Sequence, residues 1–220
     1  MKIPISDRLL ACAGFINKGD RIADIGCDHG YLSIWLLTQG IAVSAIAADI
    51  NQGPLDSAKR NAAKYGVENK IRFYLSDGVQ AIDHDFDTLV CAGMGADTMI
   101  SIFEAAPWLK SSAYRMVLQC QSKTPMLRKY LSVSGWCITK ETVLRDGRFL
   151  YTVMEACYQP ERCALTEAEC YFSPALLNNS TPETAEYLNW VIGGLELSIR
   201  HDPEKRSILN ELKKLAEESL

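Results

Sequence analysis

The chain lacks several features that would narrow its function at once. No apolar run reaches the ~18 residues a membrane span needs. The opening MKIPISDRLLACAGF has no signal-peptide core before Asn17, Lys18 and Asp20. A cytoplasmic protein with no membrane partner is expected. Histidines number only three, and the eight cysteines include no C-x-x-C pair. Cys157, Cys163 and Cys170 are too widely spaced for a zinc knuckle, so no metal is expected. An even cysteine count could suggest a disulfide framework, but 220 residues can build a core without staples. Cys27, Cys91 and Cys120 lie in or beside apolar strand-like runs, which predicts reduced, mostly buried thiols. Excess positive charge is missing too: the net charge is −4, about +1 over residues 1–159 and −5 over 160–220. Any nucleic acid must therefore meet a local patch.

Apolar, β-branched runs recur at 21–26, 42–50, 71–76, 87–92 and 115–120, with helical patterns at 30–39, 54–65, 96–105 and 125–134. This alternation predicts a parallel sheet with helices on both faces. Gly40, Gly66 and Gly135 fall where helix C-terminal caps are expected. Beyond 135 two strand-like runs meet at Asp146-Gly147, a hairpin signal. A parallel sheet ending in an antiparallel hairpin is the α/β arrangement of Rossmann-like methyltransferases. Residues 160–220 predict a helical appendage to this 1–159 domain. Thr181-Pro182 and Asp202-Pro203 mark two helix starts. Leu188, Val191, Ile192, Leu195 and Ile199 form one apolar stripe, and Ile208, Leu212 and Leu215 a second. Helices over 182–200 and 203–219 would form an antiparallel hairpin, with Gly193-Gly194 allowing close approach of the partner.

The run RIADIGCDHGYLSIWLL places Asp24, Asp28 and His29 where a strand hands over to a helix. A dinucleotide fingerprint would read G-x-G-x-x-G, but here Gly26-Cys27-Asp28-His29-Gly30 carries an acid in place of the central glycine. A carboxylate there repels a diphosphate and suits an ammonium or sulfonium, and S-adenosylmethionine carries both. Asp49, 23 residues after Gly26, suits ribose hydroxyls, with Ile50 beside it. Ser76-Asp77-Gly78 suits an adenine amino group. Ala92-Gly93-Met94-Gly95 allows close approach to the methionine moiety and the acceptor. All four stretches fall at carboxyl ends of strands. The cofactor set is therefore Asp24, Gly26, Asp28, Gly30, Asp49, Ile50, Asp77, Gly78, Gly93 and Met94. Taken singly, each stretch also has a structural explanation as a turn or a helix cap.

The segments Asp24–Leu32, Ala48–Pro54, Ser57–Asn61 and Ala92–Gly95, with Leu118-Gln119 and Asp146–Tyr151, resemble the bacterial tRNA (adenine-22-N1)-methyltransferase family. The resemblance covers nearly the whole chain, including the terminal helical hairpin. It implies methyl transfer from S-adenosylmethionine to N1 of adenine 22 in tRNA, without a metal. The chain departs from the family pattern at Ala96, where glycine is usual, at Cys120, where proline is common, and at Asp49, where glutamate is frequent.

Adenine N1 carries a lone pair, so positioning can supply much of the acceleration. The product base is cationic, and a carboxylate can stabilise that charge or accept the N6 proton. Asp28 is the first candidate, with His29 a polar partner and Tyr31 a platform for the base. Each also has a plain reading: Asp28 as a ligand of the methionyl ammonium, His29 as a loop residue, Tyr31 as packing at the helix start. Asp97 fits a helix's first turn. The absence of an N-P-P-[YF] signature weighs against N6 chemistry. Candidate phosphate contacts are Arg8, Lys59, Arg60, Lys123, Arg128, Lys129, Arg145 and Arg148, joined by Lys205, Arg206, Lys213 and Lys214. A monomer is favoured. The alternatives are a small-molecule or protein methyltransferase and a non-catalytic S-adenosylmethionine-binding module.

Overall fold

A computed structural model describes residues 2–161, 164–179 and 181–219. Helix α1 (Asp7–Ala13) precedes the alternating elements β1 (Arg21–Ile25), α2 (Tyr31–Thr38), β2 (Ser44–Asp49), α3 (Gln52–Lys64), β3 (Ile71–Leu75), β4 (Thr88–Gly95), α4 (Ala96–Glu104), β5 (Arg115–Ser122) and α5 (Thr124–Val133). A long hairpin follows, β6 (Trp136–Asp146) and β7 (Phe149–Tyr158), and then α6 (Glu167–Tyr171), α7 (Pro174–Leu177), α8 (Pro182–Ser198) and α9 (Arg206–Ser219). The sheet runs β3-β2-β1-β4-β5-β7-β6. Strands β1 to β5 are parallel, and β7 is antiparallel to both β5 and β6.

Strand periodicity sorts the core into two layers. Ala23, Ile25, Ile46, Ala48, Leu89, Cys91, Met116 and Leu118 face α4 and α5, meeting Met99, Phe103, Leu127 and Leu131. Ile22, Ala45, Ala47, Val90 and Val117 face the other way, toward Cys12 of α1, Leu32 and Leu36 of α2, and Leu55, Ala58 and Ala62 of α3. Asp24 shares the parity of Ile22, which puts an acid among apolar neighbours on the α2 side.

The hairpin turn sits one residue later than expected. Asp146 pairs with Phe149, so Gly147 and Arg148 form the loop. Gly147 takes φ +60°, as a two-residue loop with glycine first requires. Asp146 remains in the strand and accepts from Arg8 Nε at 2.7 Å.

The C-terminal helices pack on β6 through a third cluster of Val143, Phe172, Leu176, Leu188, Val191, Leu195, Leu209 and Leu212. Thr181 caps α8 as expected, its Oγ1 accepting from the Thr184 N–H at 3.2 Å. Asp202-Pro203 opens only a 3-10 turn, and Asp202 pairs with Lys205 instead of capping α9. No helix partner approaches Gly193 or Gly194: a Cβ on either would meet nothing within 4 Å. Helix α6 begins with a capping box, Thr166 and Glu169 bonding each other's backbone N–H. Sequence reading passed over that signal.

The C-terminal helices bond to the sheet layer around a buried ion pair. Arg128 on α5 and Glu141 on β6 are both 0% exposed at the side chain and lie 2.7 Å apart. Arg128 also donates to the carbonyls of Cys170 and Tyr171, and Ser173 Oγ donates to Glu141. Arg128 is therefore withdrawn from the phosphate-contact set, because its charge is consumed inside the protein. Six cysteines, at 12, 27, 91, 120, 157 and 170, are free thiols. Cys137 corrects the all-reduced expectation: it is disulfide-bonded, and it lies half-buried on the edge strand rather than in the core. Cys163 lies outside the described residues. No helix among the described residues is long and apolar enough to cross a membrane.

Candidate active site

The bend between β1 and α2 is laced to the end of β2. The N–H groups of Gly26 and Cys27 both donate to the Ala48 carbonyl, at 2.8 and 3.0 Å. The Asp28 N–H donates to Asp49 Oδ2 at 3.2 Å, and the Asn51 N–H donates to Asp49 Oδ1 at 2.8 Å. Gly26 and Gly30 take φ +70° and +72°. A Cβ on Gly26 would stand 2.3 Å from Met94 Cε, and one on Gly30 would stand 3.0 Å from Ala58 Cβ. Gly26 thus lets β4 close on the bend, while Gly30 seats α2 against α3. Between them Asp28 holds φ +50° without being a glycine. Left-handed backbone in a non-glycine residue persists where surrounding structure enforces it, and such positions cluster at functional sites.

The three acids differ in setting. Asp24 is buried, and Ser33 Oγ donates to its Oδ2 at 2.8 Å. Burial pushes its carboxyl up to about 6, with Ser33 pulling the other way. Asp49 is buried beneath the bend and uses both oxygens to hold backbone N–H groups. Asp28 is exposed, with Oδ1 3.7 Å from His29 Nε2. The His29 ring lies 5.9 Å from that of half-buried Tyr31. The His29 carbonyl accepts from Asn61 Nδ2 at 3.0 Å, which fixes the loop to α3.

A cavity of 370 Å³ opens here, lined by Asp24, Gly26, Cys27, Asp28, His29, Tyr31 and Leu32 on one side and by Ala92, Gly93, Gln119 and Gln121 on the other. Asp28, His29 and Tyr31 are thus brought together with Asp24, Gly26 and Gly93. Gly30, Asp49, Ile50, Asp77, Gly78 and Met94 do not line it. Ile50, 62% exposed, and Asp77 lie on the outer surface of the strand ends. Gly78 packs on α4, where a Cβ would meet Ile102 Cγ1 at 2.8 Å. Two further contributions to the site lie outside the residues expected there. Helix α1 supplies Ser6, Arg8 and Leu9 as a wall. Buried Gln119 accepts from the Gly93 N–H at 3.1 Å and donates to the Cys120 carbonyl, so it sets the irregular pairing at Gly93 near the end of β4. No group of metal-ligating side chains occurs among the described residues.

Comparison with known proteins agrees with this geometry. Residues 5–154 match the family profile described as "Methyltransferase domain". The chain is 31% identical over 156 residues to the tRNA (adenine(22)-N(1))-methyltransferase of Bacillus subtilis, covering 70% of this chain and 66% of that one. It is 31% identical over 159 residues to a candidate tRNA methyltransferase of Mycoplasma pneumoniae, covering 72% of the relative. A crystal structure of a candidate tRNA (m1A22) methyltransferase of Streptococcus pneumoniae, in complex with S-adenosyl-L-methionine, superposes with TM-score 0.83 and 28% identity over 98% of this chain and 99% of that one. This chain belongs to the tRNA (adenine-22-N1)-methyltransferase family.

Two of its departures from the family pattern, Ala96 and Cys120, are both buried. Ala96 heads α4 in the core, and Cys120 donates its thiol to the Ser122 carbonyl. The expected basic surface is largely paired. Arg8 bonds Asp146, Lys123 bonds Asp97, Lys129 bonds Glu167, and Arg145 bonds Glu186. Lys205 bonds Asp202, Lys213 bonds Glu196, and Lys59 lies 3.9 Å from Asp56. Arg60 donates to Ser57 Oγ. Arg148 instead lies over the Phe149 ring at 4.9 Å.

Proposed function

We propose that the chain transfers a methyl group from S-adenosylmethionine to N1 of adenine 22 in tRNA, acting in the cytoplasm as a monomer without a metal. The observation that carries this reading is a cavity at the β1–α2 bend with two carboxylates, Asp24 and Asp28, and one arginine already paired with an acid. That donor set suits a ligand with ammonium and sulfonium charges and disfavours a diphosphate. When bound, S-adenosylmethionine supplies an electrophilic methyl on a sulfonium.

The chain's own groups then have assignable work. Asp24 takes the methionyl ammonium, and Asp49 with Ile50 and Asp77 flanks the nucleoside end. Gly93, held by Gln119, lets the acceptor base approach closely. No residue needs to remove a proton before attack, because N1 of neutral adenine carries a lone pair. As the base becomes cationic, the Asp28 carboxylate stabilises the growing charge. His29 orients Asp28, and Tyr31 offers a face to the base. Residues 160–220 serve as an RNA-facing appendage.

Labelled S-adenosylmethionine with total tRNA, followed by nuclease digestion, tests the reading. Label in 1-methyladenosine, lost when adenine 22 is changed to guanine, supports it. Label in small molecules or protein, or no transfer at all, overturns it.

A further inference from the structure

A second cavity, of 480 Å³, lies between the end of β5, the start of β7 and α8, and shares Gln121 with the first. We infer that it receives a nucleobase next to the reacting adenine, an inference that rests on the tRNA reading above. Extruding one base from a folded RNA strips its neighbour of a stacking partner. The cavity offers replacement faces. Phe149 and Trp190 line it, yet are 52% and 66% exposed, an uncovered aromatic surface of the kind on which bases stack.

Charge and polarity agree with such an occupant. Lys123 and Lys205 stand in the lining. The Arg148 guanidinium lies over Phe149, and among the described residues no acid pairs with it. Lys123 and Lys205 are already paired with Asp97 and Asp202, so Arg148 is the cation best suited to a phosphate beside a stacked base. The Thr152 hydroxyl is buried without a hydrogen-bond partner among the described residues, and Thr152 lines the same cavity. Buried polar atoms are seldom left orphaned. This one breaks no bond by turning to a base edge.

Backbone strain is a separate observation. Among the described residues, Asp28 and Lys123 alone hold left-handed φ without being glycine, at +50° and +59°. One lines each cavity, and each joins the carboxyl end of a strand to a helix. The strain that marks the first site thus recurs at the second.

Gly194 allows a direct test. It lies within α8 and lines the cavity, and a Cβ there meets nothing within 4 Å. Gly194→Phe therefore fills the space while favouring the helix. Its KM for tRNA should rise ~5- to 100-fold, the scale of one lost base stack, with calorimetric affinity for S-adenosylmethionine unchanged. Trp190→Ala, at an exposed position, should raise KM in the same direction. Transcripts abasic at one or the other neighbour of adenine 22 should cost the wild type a similar factor and cost Gly194→Phe little more.

If the wild type methylates tRNA but both variants keep its KM, the inference falls and the methyltransferase reading stands. If the abasic penalty is the same in wild type and Gly194→Phe, the cavity holds no base and the inference again falls. A wild type that leaves tRNA unmethylated removes the reading beneath both.

Discussion

Replacing Arg128 with methionine should be among the most damaging single changes available in this chain, although Arg128 touches neither cavity's chemistry. The guanidinium is wholly buried and meets Glu141 through Nε and one terminal nitrogen, while the other terminal nitrogen serves the carbonyls of Cys170 and Tyr171. Methionine fills much of the volume but leaves the Glu141 carboxylate with the Ser173 hydroxyl and no counter-charge, and takes the Arg128 donor from two carbonyls. Breaking one side of a buried pair costs about 3–5 kcal/mol. For a domain of this length about 2–4 °C is lost per kcal/mol, so Tm should fall by ~6–20 °C. Scanning calorimetry at pH 7 measures this. The double variant Arg128→Met with Glu141→Leu should recover part of the loss, because no charge is then left unpaired. A fall below about 2 °C, or a double variant no better than the single, would refute the claim that this pair holds α5, β6 and the segment at 170–173 together.

The other predictions concern the active site. Asp28→Gly should stabilise the fold by up to about 1 kcal/mol, since glycine accepts the left-handed backbone freely, while turnover falls more than cofactor affinity; equal losses of both would reduce Asp28 to a binding residue. Asp24, pushed up to about 6, binds more protons folded than unfolded between about pH 4 and 6, so its burial weakens the fold as pH rises through that window. The ammonium of S-adenosylmethionine needs the ionised form, so calorimetric affinity should drop about tenfold per unit below pH ~6, a slope that Asp24→Asn abolishes. Gly30→Ala, with φ +72° and a contact 3.0 Å from Ala58 Cβ, should cost about 1–2 kcal/mol in urea titration and leave cofactor Kd unchanged in the folded fraction. Because most surface cations are already paired, tRNA affinity should fall with salt at a log–log slope of about −1 to −4; a slope of zero would remove phosphate contacts altogether.

Much of the site was legible because its signals are local. The strand-to-helix bend at 24–31, the acid ending β2 and the glycines ending β4 are each written in a handful of consecutive residues. The shift of the hairpin turn by one residue reflects a choice local chemistry leaves open: Asp146 fits a turn, but its bond to Arg8 keeps it in the strand. Gln119 was visible only as part of a family resemblance, since its grip on Gly93 depends on β4 lying beside β5. The residues of α1 carry no motif, and nothing in them says that the helix walls the cavity.

The sequence by itself determined the order of strands and helices, the antiparallel close of the sheet, and an acid-bearing bend suited to a cationic methyl donor, because period and turn chemistry act over a few residues. Tertiary structure alone decided which charges are spent. Arg8 meets an acid 138 positions away, and Arg128 lies at the centre of a buried network joining α5, β6 and the segment leading into α7. Pairing and burial are properties of packed surfaces, and no window of neighbouring residues contains them.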